Sequence, residues 1–391
     1  MAVPLQSDLP TFLAPAHERL EFVPGSIVVR FHESAAEPLD YLEREAGAHT
    51  VERVNDDLTV VWLDDHEVSP ELLRTVESSP AVAFAERVPA RWLSAVAPTD
   101  PRHNRQWGLR AIRWFDADVP ETEEVTVAIC DTGVDTAHPD LAGVIASYDH
   151  EGASATDIVG HGTHVSGIVA ARSDDVAGVV GVARCRLAMW KVFPDEPTQG
   201  NFYVDGSRFL RALNAVATSG AKVLSLSLGG TQSSQAEQLL FNRLETAGVT
   251  VVAAMGNEYE HGNPVEYPAA YEHVLAVGAV AETNRRSPFS NTGAHIGIAA
   301  PGSNVLSTLP TKASSFRPDT RYASWSGTSM ATPHVAAAAA LVAAQHPDWK
   351  PAEVKAQLRN RAAKVADMAG KSFTEEFGSG LLDIPALLAS D

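Results

Sequence analysis

The chain predicts two folded units: a small α+β module, then a larger α/β domain built on a doubly wound parallel sheet flanked by helices. Three observations carry this. From residue 125 onward, apolar runs at 125–130, 187–192, 223–228, 249–255 and 274–280 are continuous rather than alternating, and helical patterns separate them. Such runs suit strands buried on both faces of a parallel sheet. Between residues 26 and 87, shorter patterns follow the order strand, helix, strand, strand, helix, strand, the βαββαβ plan of ferredoxin-like folds. Between the two units the chain carries Pro98 and Pro101 and reads as a linker.

Each element follows from local pattern. Residues 1–20 hold three prolines and no sustained period, which predicts a flexible arm. In the module, residues 21–91, strands are expected at 27–31, 49–54, 58–63 and 82–87 and helices at 38–46 and 70–77. The turn Asn55-Asp56-Asp57 joins the second and third strands. A linker at 92–105 leads into the large domain, 106–391, with helices expected at 161–172, 206–219, 233–247, 329–345 and 351–364.

A 391-residue chain that is 45% apolar can fill a large core. Its net charge of −19 argues against nucleic acid, where a basic face would supply most of the affinity, and against adhesion to anionic membranes. Basic peptides are the natural electrostatic partner. No run of 18 apolar residues occurs, and the alanine-rich stretch 335–344 is too short to span a membrane. The first 20 residues show neither the basic nor the apolar region of a secretory signal. Two cysteines, Cys130 and Cys185, make no disulfide framework. A cytoplasmic protein is expected on these grounds; a truncated or misassigned start would give a secreted one the same appearance.

Three segments carry the chemistry: Cys130-Asp131-Thr132-Gly133, Gly160-His161-Gly162-Thr163-His164 and Gly327-Thr328-Ser329-Met330-Ala331. A serine hydroxyl needs a base, and the base needs a carboxylate to fix its tautomer. Ser329 stands at the start of a long apolar helix, whose unpaired N–H groups face a developing oxyanion; Pro333 is expected in its first turn, where a missing N–H costs nothing. Other readings fail on composition. Asp131-Thr132-Gly133 has no second copy to share a proton as aspartic-protease carboxylates do. His161 and His164 lack the neighbouring Glu of a zinc site, and Ser329 does not sit in a G-x-S-x-G elbow.

With the order Asp, His, Ser, these segments resemble the subtilisin family of serine endopeptidases over roughly residues 100 to 391. The resemblance implies that Asp131, His161 and Ser329 are the triad. It also implies that Asn257, ending Val251-Val252-Ala253-Ala254-Met255-Gly256-Asn257, donates to the oxyanion. Ser227, Leu228 and Gly229 match the strand that pairs with the substrate backbone. Glu266 matches the base of the primary specificity pocket and Glu258 its rim, which favours Arg or Lys before the cut unless Glu266 turns outward and the pocket takes apolar side chains. Phe193 and Phe209 match the walls of upstream subsites. The N-terminal module resembles the propeptide that chaperones and inhibits such enzymes, with self-processing expected in the region from Arg91 to Thr99, after Arg91 for example. Structural calcium is implied, held by Asp100, Asp140, Asp175 and the carbonyls of Ala177 and Val179. The partners expected are a peptide or protein substrate and the chain's own prodomain, on a monomer. Three alternatives stay open: a dedicated leader-peptide protease, a latent protein whose uncleaved module keeps the cleft closed, and a transpeptidase.

Overall fold

The computed structural model describes residues 21–32, 48–55, 57–63, 68–93, 106–150, 153–172, 178–198 and 201–389. The expected arm at 1–20, the helix at 38–46 and the linker from 94 to 105 lie outside these residues.

In the N-terminal unit, β1 (Phe22–Phe31), β2 (Ala48–Arg53), β3 (Leu58–Leu63) and β4 (Val82–Pro89) form an antiparallel sheet in the order β2-β3-β1-β4. Helix α1 (Pro70–Glu77) opens on Ser69, whose hydroxyl accepts from Leu72 N at 3.1 Å, with proline at its first position. The unbroken run Ile27-Val28-Val29 has a physical cause. Ile27, Val29, Val61, Leu63, Val76 and Ala85 form one cluster with α1, while Val28, Val60 and Val88, pointing the other way, join the core of the large domain. A strand buried on both faces has no polar side to alternate with.

A two-residue strand, β5 (Trp92–Leu93), then leads through α2 (Trp107–Ala111) into the large domain. There β6 (Glu121–Asp131), β7 (Ile145–Asp149), α3 (His161–Ala170), β8 (Arg184–Lys191), α4 (Gly206–Val216), β9 (Val223–Leu226), β10 (Leu228–Gly229), α5 (Gln235–Thr246), β11 (Thr250–Ala254), β12 (Val274–Val280) and β13 (Ile296–Pro301) follow one another. A hairpin, β14 (Val305–Thr308) and β15 (Tyr322–Trp325), precedes α6 (Thr328–Gln345), α7 (Pro351–Asn360) and α8 (Ile384–Leu388). Seven strands form one parallel sheet in the order β13-β12-β11-β9-β6-β8-β7. Helix α6 is buried from Thr328 through Val342; apolar on all sides, it is the core helix its composition requires.

One expectation is corrected here. Pro333 stands in the second turn of α6, not the first, because the helix begins at Thr328. Its missing N–H therefore leaves the Ser329 carbonyl without its partner in the helical ladder. The Ser227 hydroxyl supplies the donor instead, at 2.9 Å.

The two units meet at helix N-termini. Glu86 on β4 accepts from Gln235 N (3.1 Å), Ala236 N (3.2 Å) and the Ser234 hydroxyl at the start of α5. Glu52 on β2 pairs with Arg211 at 2.5 Å and takes the Ser207 hydroxyl in the first turn of α4. Both carboxylates sit where a helix dipole favours negative charge. Beyond them β5 pairs antiparallel with β10, Leu93 opposite Leu228 and Trp92 opposite Gly229. Among the described residues, no helix is long and apolar enough to cross a membrane.

Candidate active site

Parallel α/β sheets place ligands beyond the carboxyl ends of their strands, and the expected residues gather there. Asp131 is the last residue of β6, Ser227 follows β9, Asn257 lies just past β11, and His161 and Ser329 occupy the first turns of α3 and α6.

Asp131 and His161 are both fully buried, and His161 Nδ1 lies 2.8 Å and 3.0 Å from the two Asp131 carboxylate oxygens. Nδ1 therefore carries the proton, and Nε2, which has no hydrogen-bond partner among the described residues, presents its lone pair. The approach of α3 to β6 depends on Gly162, where a Cβ would run into the Gly133 carbonyl. A carboxylate that the sequence reading missed locks the two elements together. Asp157 accepts from Thr132 Oγ1 (2.9 Å), Gly160 N (2.8 Å), Thr163 N (2.9 Å) and Thr163 Oγ1 (2.6 Å). Burial pushes its pKa up, and these four donors oppose the shift. Trp325 was missed too: its ring stacks on His164 at 5.0 Å and 7° and on His161 at 6.2 Å and 29°. His164 is structural, with Nε2 3.1 Å from the Ala323 carbonyl and a pKa lowered by burial to about 3.

Ser329 and Ser227 are bound reciprocally: Ser329 Oγ donates to the Ser227 carbonyl at 3.0 Å, and Ser227 Oγ returns the bond to the Ser329 carbonyl. Ser329 N–H lies in the first turn of α6, among the donors a helix cannot satisfy internally. Asn257 turns its Oδ1 to Thr328 N (2.9 Å) and Thr328 Oγ1 (3.0 Å). That fixes the amide orientation and leaves Nδ2 as the end that can donate.

The remaining residues divide. Glu266 is fully buried beneath Gly256, and its Oε1 accepts from Asn291 Nδ2 at 3.1 Å. The same Asn291 accepts from Glu258 N at 2.8 Å, so one side chain with no sequence signature organises both acids. Phe193 is a core residue with no exposed surface, whereas Phe209 lines a cavity with Val204, Glu237 and Arg91. Arg91, expected beside the cut, is instead wholly buried and paired with Glu237 at 2.5 Å. Of the calcium set, Asp140 and Val179 are described and Asp100, Asp175 and Ala177 are not. Asp140 Oδ2 accepts from Val179 N, and its Oδ1 from the Tyr322 hydroxyl, each at 2.9 Å. Among the described residues no cluster of three His, Cys, Asp or Glu forms a metal site. Cys130 and Cys185 are buried; burial raises both thiols, Cys185 to about 12, so neither is a nucleophile.

Comparison with known proteins matches residues 122–380 to the subtilase family. A subtilisin of Bacillus pumilus is 37% identical over 266 residues, 67% of this chain and 90% of the relative. An alkaline protease of Alkalihalobacillus alcalophilus is 34% identical over 376 residues, 89% of this chain and 90% of the relative. Among solved structures, fervidolysin from Fervidobacterium pennivorans, a keratinolytic enzyme related to subtilisin, aligns with a TM-score of 0.77 at 26% identity; the alignment covers 95% of this chain and 62% of that one. The chain belongs to the subtilase family and is a serine endopeptidase of the subtilisin type.

Proposed function

We propose that Ser329, His161 and Asp131 are the catalytic triad, and that the enzyme is made as a precursor whose N-terminal unit occupies the cleft until the same site removes it. The observation that carries the second part is the pairing of β5 with β10, next to Ser227 and Ser329. Strand addition uses main-chain hydrogen bonds and so accepts many sequences.

In this reading Ser329 Oγ leaves the Ser227 carbonyl, gives its proton to His161 Nε2 and attacks the substrate carbonyl carbon. Asp131 holds Nδ1–H and stabilises the imidazolium. Asn257 Nδ2 and Ser329 N–H donate to the oxyanion, each such donor being worth about 3 kcal/mol of barrier. Collapse of the intermediate breaks the C–N bond, the departing amine takes the proton from His161, and a water activated by His161 then hydrolyses the acyl-enzyme. The buried carboxylate of Glu266 beneath Gly256 supports a preference for Arg or Lys immediately before the cut.

Calcium has a structural place in this reading. Asp140 clasps both stems of the segment 173–177, its carbonyl accepting from Arg172 N at 2.9 Å and its carboxylate from Val179 N. The carboxylate of a buried aspartate that joins Arg172 to Val179 suits calcium, which would pin that junction and take no part in bond cleavage. Chelation should then lower the midpoint of thermal unfolding.

The test of the function compares the full chain with its Ser329→Ala variant by intact mass and N-terminal sequence. Shortening of the active chain alone supports self-processing. If both stay full length, a latent protein closed by its own N-terminal unit is the better account.

A further inference from the structure

Arg91 is one of the largest fully buried side chains among the described residues. Its Nη2 donates to Glu237 Oε2 at 2.5 Å and to the Tyr271 hydroxyl at 3.4 Å, and its Nη1 reaches the Ala90 carbonyl at 3.3 Å. The backbone beside it is held on both sides. Val204 N donates to the Arg91 carbonyl at 2.8 Å, and the next two residues pair with Gly229 and Leu228. Gly230 has no Cβ to obstruct the Ala90 carbonyl. Residues 90–93 therefore lie as an extended peptide between Val204 and β10.

The register says where such a peptide is cut. Trp92 faces Gly229 and Leu93 faces Leu228, so a peptide continuing in this register brings its next residue opposite Ser227. The Ser227 carbonyl accepts from the Ser329 hydroxyl at 3.0 Å, which makes that residue the one whose carbonyl is attacked. Counting back from it as the first, Arg91 is the fourth before the scissile bond.

The polar receptor for Arg91, Glu237 and Tyr271, belongs to the catalytic domain, whereas the cavity beside it has apolar walls from both units, Val204, Phe209 and Leu210 from the large one and Val28 and Val88 from the N-terminal one. Glu237 is free for this task for an unusual reason. Ser234-Gln235-Ala236-Glu237 is the pattern of a capping box, in which the glutamate would bond back to Ser234 N. The Ser234 hydroxyl does accept from Glu237 N at 3.2 Å, but Ser234 N donates to the Tyr271 hydroxyl at 2.5 Å, and the Glu237 carboxylate turns to Arg91. A buried carboxylate without a cation is costly, and a planar guanidinium spans Glu237 and Tyr271 together as an ammonium cannot.

We propose that the Glu237 and Tyr271 pocket selects arginine at the fourth residue before the scissile bond of substrates. Arg91 is its first occupant, so that self-processing hydrolyses the bond between Ser94 and Ala95. Water supplies the hydroxyl that completes the Ser94 carboxylate and the proton that completes the Ala95 amine. The inference rests on the reading that Ser329 cuts peptides paired with β10; it replaces Arg91 by Ser94 as the residue next to the cut, so that the self-processing bond is chosen through the fourth position and not through the preference for Arg or Lys immediately before the cut.

The test uses the full-length chain as it matures, with Glu237→Gln and Ser329→Ala, on peptides identical except for arginine or citrulline at the fourth position. The wild type should favour arginine by roughly 10- to 100-fold in kcat/KM, and Glu237→Gln should bring the ratio near one. The matured N-terminus should be Ala95. Cleavage of both peptides at equal rates, an unchanged ratio in Glu237→Gln, or a matured N-terminus at Trp92 would overturn the inference while leaving the endopeptidase reading intact. If the wild type cleaves neither peptide, both readings fall. Should Glu237→Gln not fold, the wild-type ratio decides alone.

Discussion

Replacing Ser227 by alanine should cost stability only as long as Pro333 is present. The Ser329 carbonyl is buried, and its helical partner four residues on is a proline, so the Ser227 hydroxyl is its donor at 2.9 Å. Ser227→Ala leaves that carbonyl unpaired, a loss of about 1–3 kcal/mol. In a Pro333→Ala background the restored N–H of residue 333 can close the ordinary bond to Ser329, and Ser227→Ala should then cost a few tenths of a kcal/mol at most. The coupling between the two positions is therefore about 1–2 kcal/mol, well above the ~0.5 kcal/mol scatter of additive pairs. All four members of the cycle carry Ser329→Ala, so that no chain cuts itself, and are unfolded in urea as full chains. Additive losses would refute the reasoning, because they would mean that the carbonyl finds another donor or needs none.

Three further outcomes are expected. Buried His164 and His334, held by burial at about 3 and about 4, stay neutral in the fold while the unfolded chain protonates them near ~6.5. Their contribution is complete above the unfolded value and is lost as pH falls toward the folded ones. Unfolding free energy should thus drop by up to ~2.7 kcal/mol per pH unit between about pH 5.5 and 4, and His164→Gln should remove about half of that slope in urea titrations. Asp157→Ala strips four donors of their acceptor and should cost about 4–8 kcal/mol in the Ser329→Ala background; a loss below ~1 kcal/mol would show that water replaces the carboxylate. Glu266→Gly should shift the preferred residue before the cut from basic to apolar, read by mass spectrometry of digested peptides, and an unchanged preference would remove Glu266 from the pocket.

Much of this molecule could be read from its sequence, for reasons that differ by element. Strands β6, β8 and β12 announce themselves because central parallel strands are apolar on both faces. Strand β7, half-exposed at the sheet edge, and β13, with its glycine and alanines, lack that signal and escaped. Asp131, His161 and Ser329, the proposed triad, were legible because each stands at a strand end or a helix start beside glycines and threonines that local geometry specifies. Asp157, Asn291 and Trp325 were not, since each acts on residues brought near only by folding. Glu237 was hidden differently: on the sequence it is an ordinary helix-opening glutamate, and only the hydroxyl of Tyr271, distant in the chain, releases it. Pro333 is the fifth residue even of a helix that starts at Ser329, already past the N–H groups a helix leaves unpaired, and placing it in the first turn concealed why Ser227 matters.

The pile of rings formed by Trp325 with His161 and His164 has an optical consequence. An imidazolium quenches the emission of an indole it touches, whereas a neutral imidazole does so far less. Since burial keeps His164 uncharged down to about 3, its stack leaves Trp325 unquenched across mild acidity, and a loss of Trp325 emission there reports that the stack has opened. Comparison with Trp325→Phe isolates that signal from the other tryptophans. The protein thus carries, against its stacked histidines, a chromophore through which loosening of the packing around α3 can be followed in real time without a substrate.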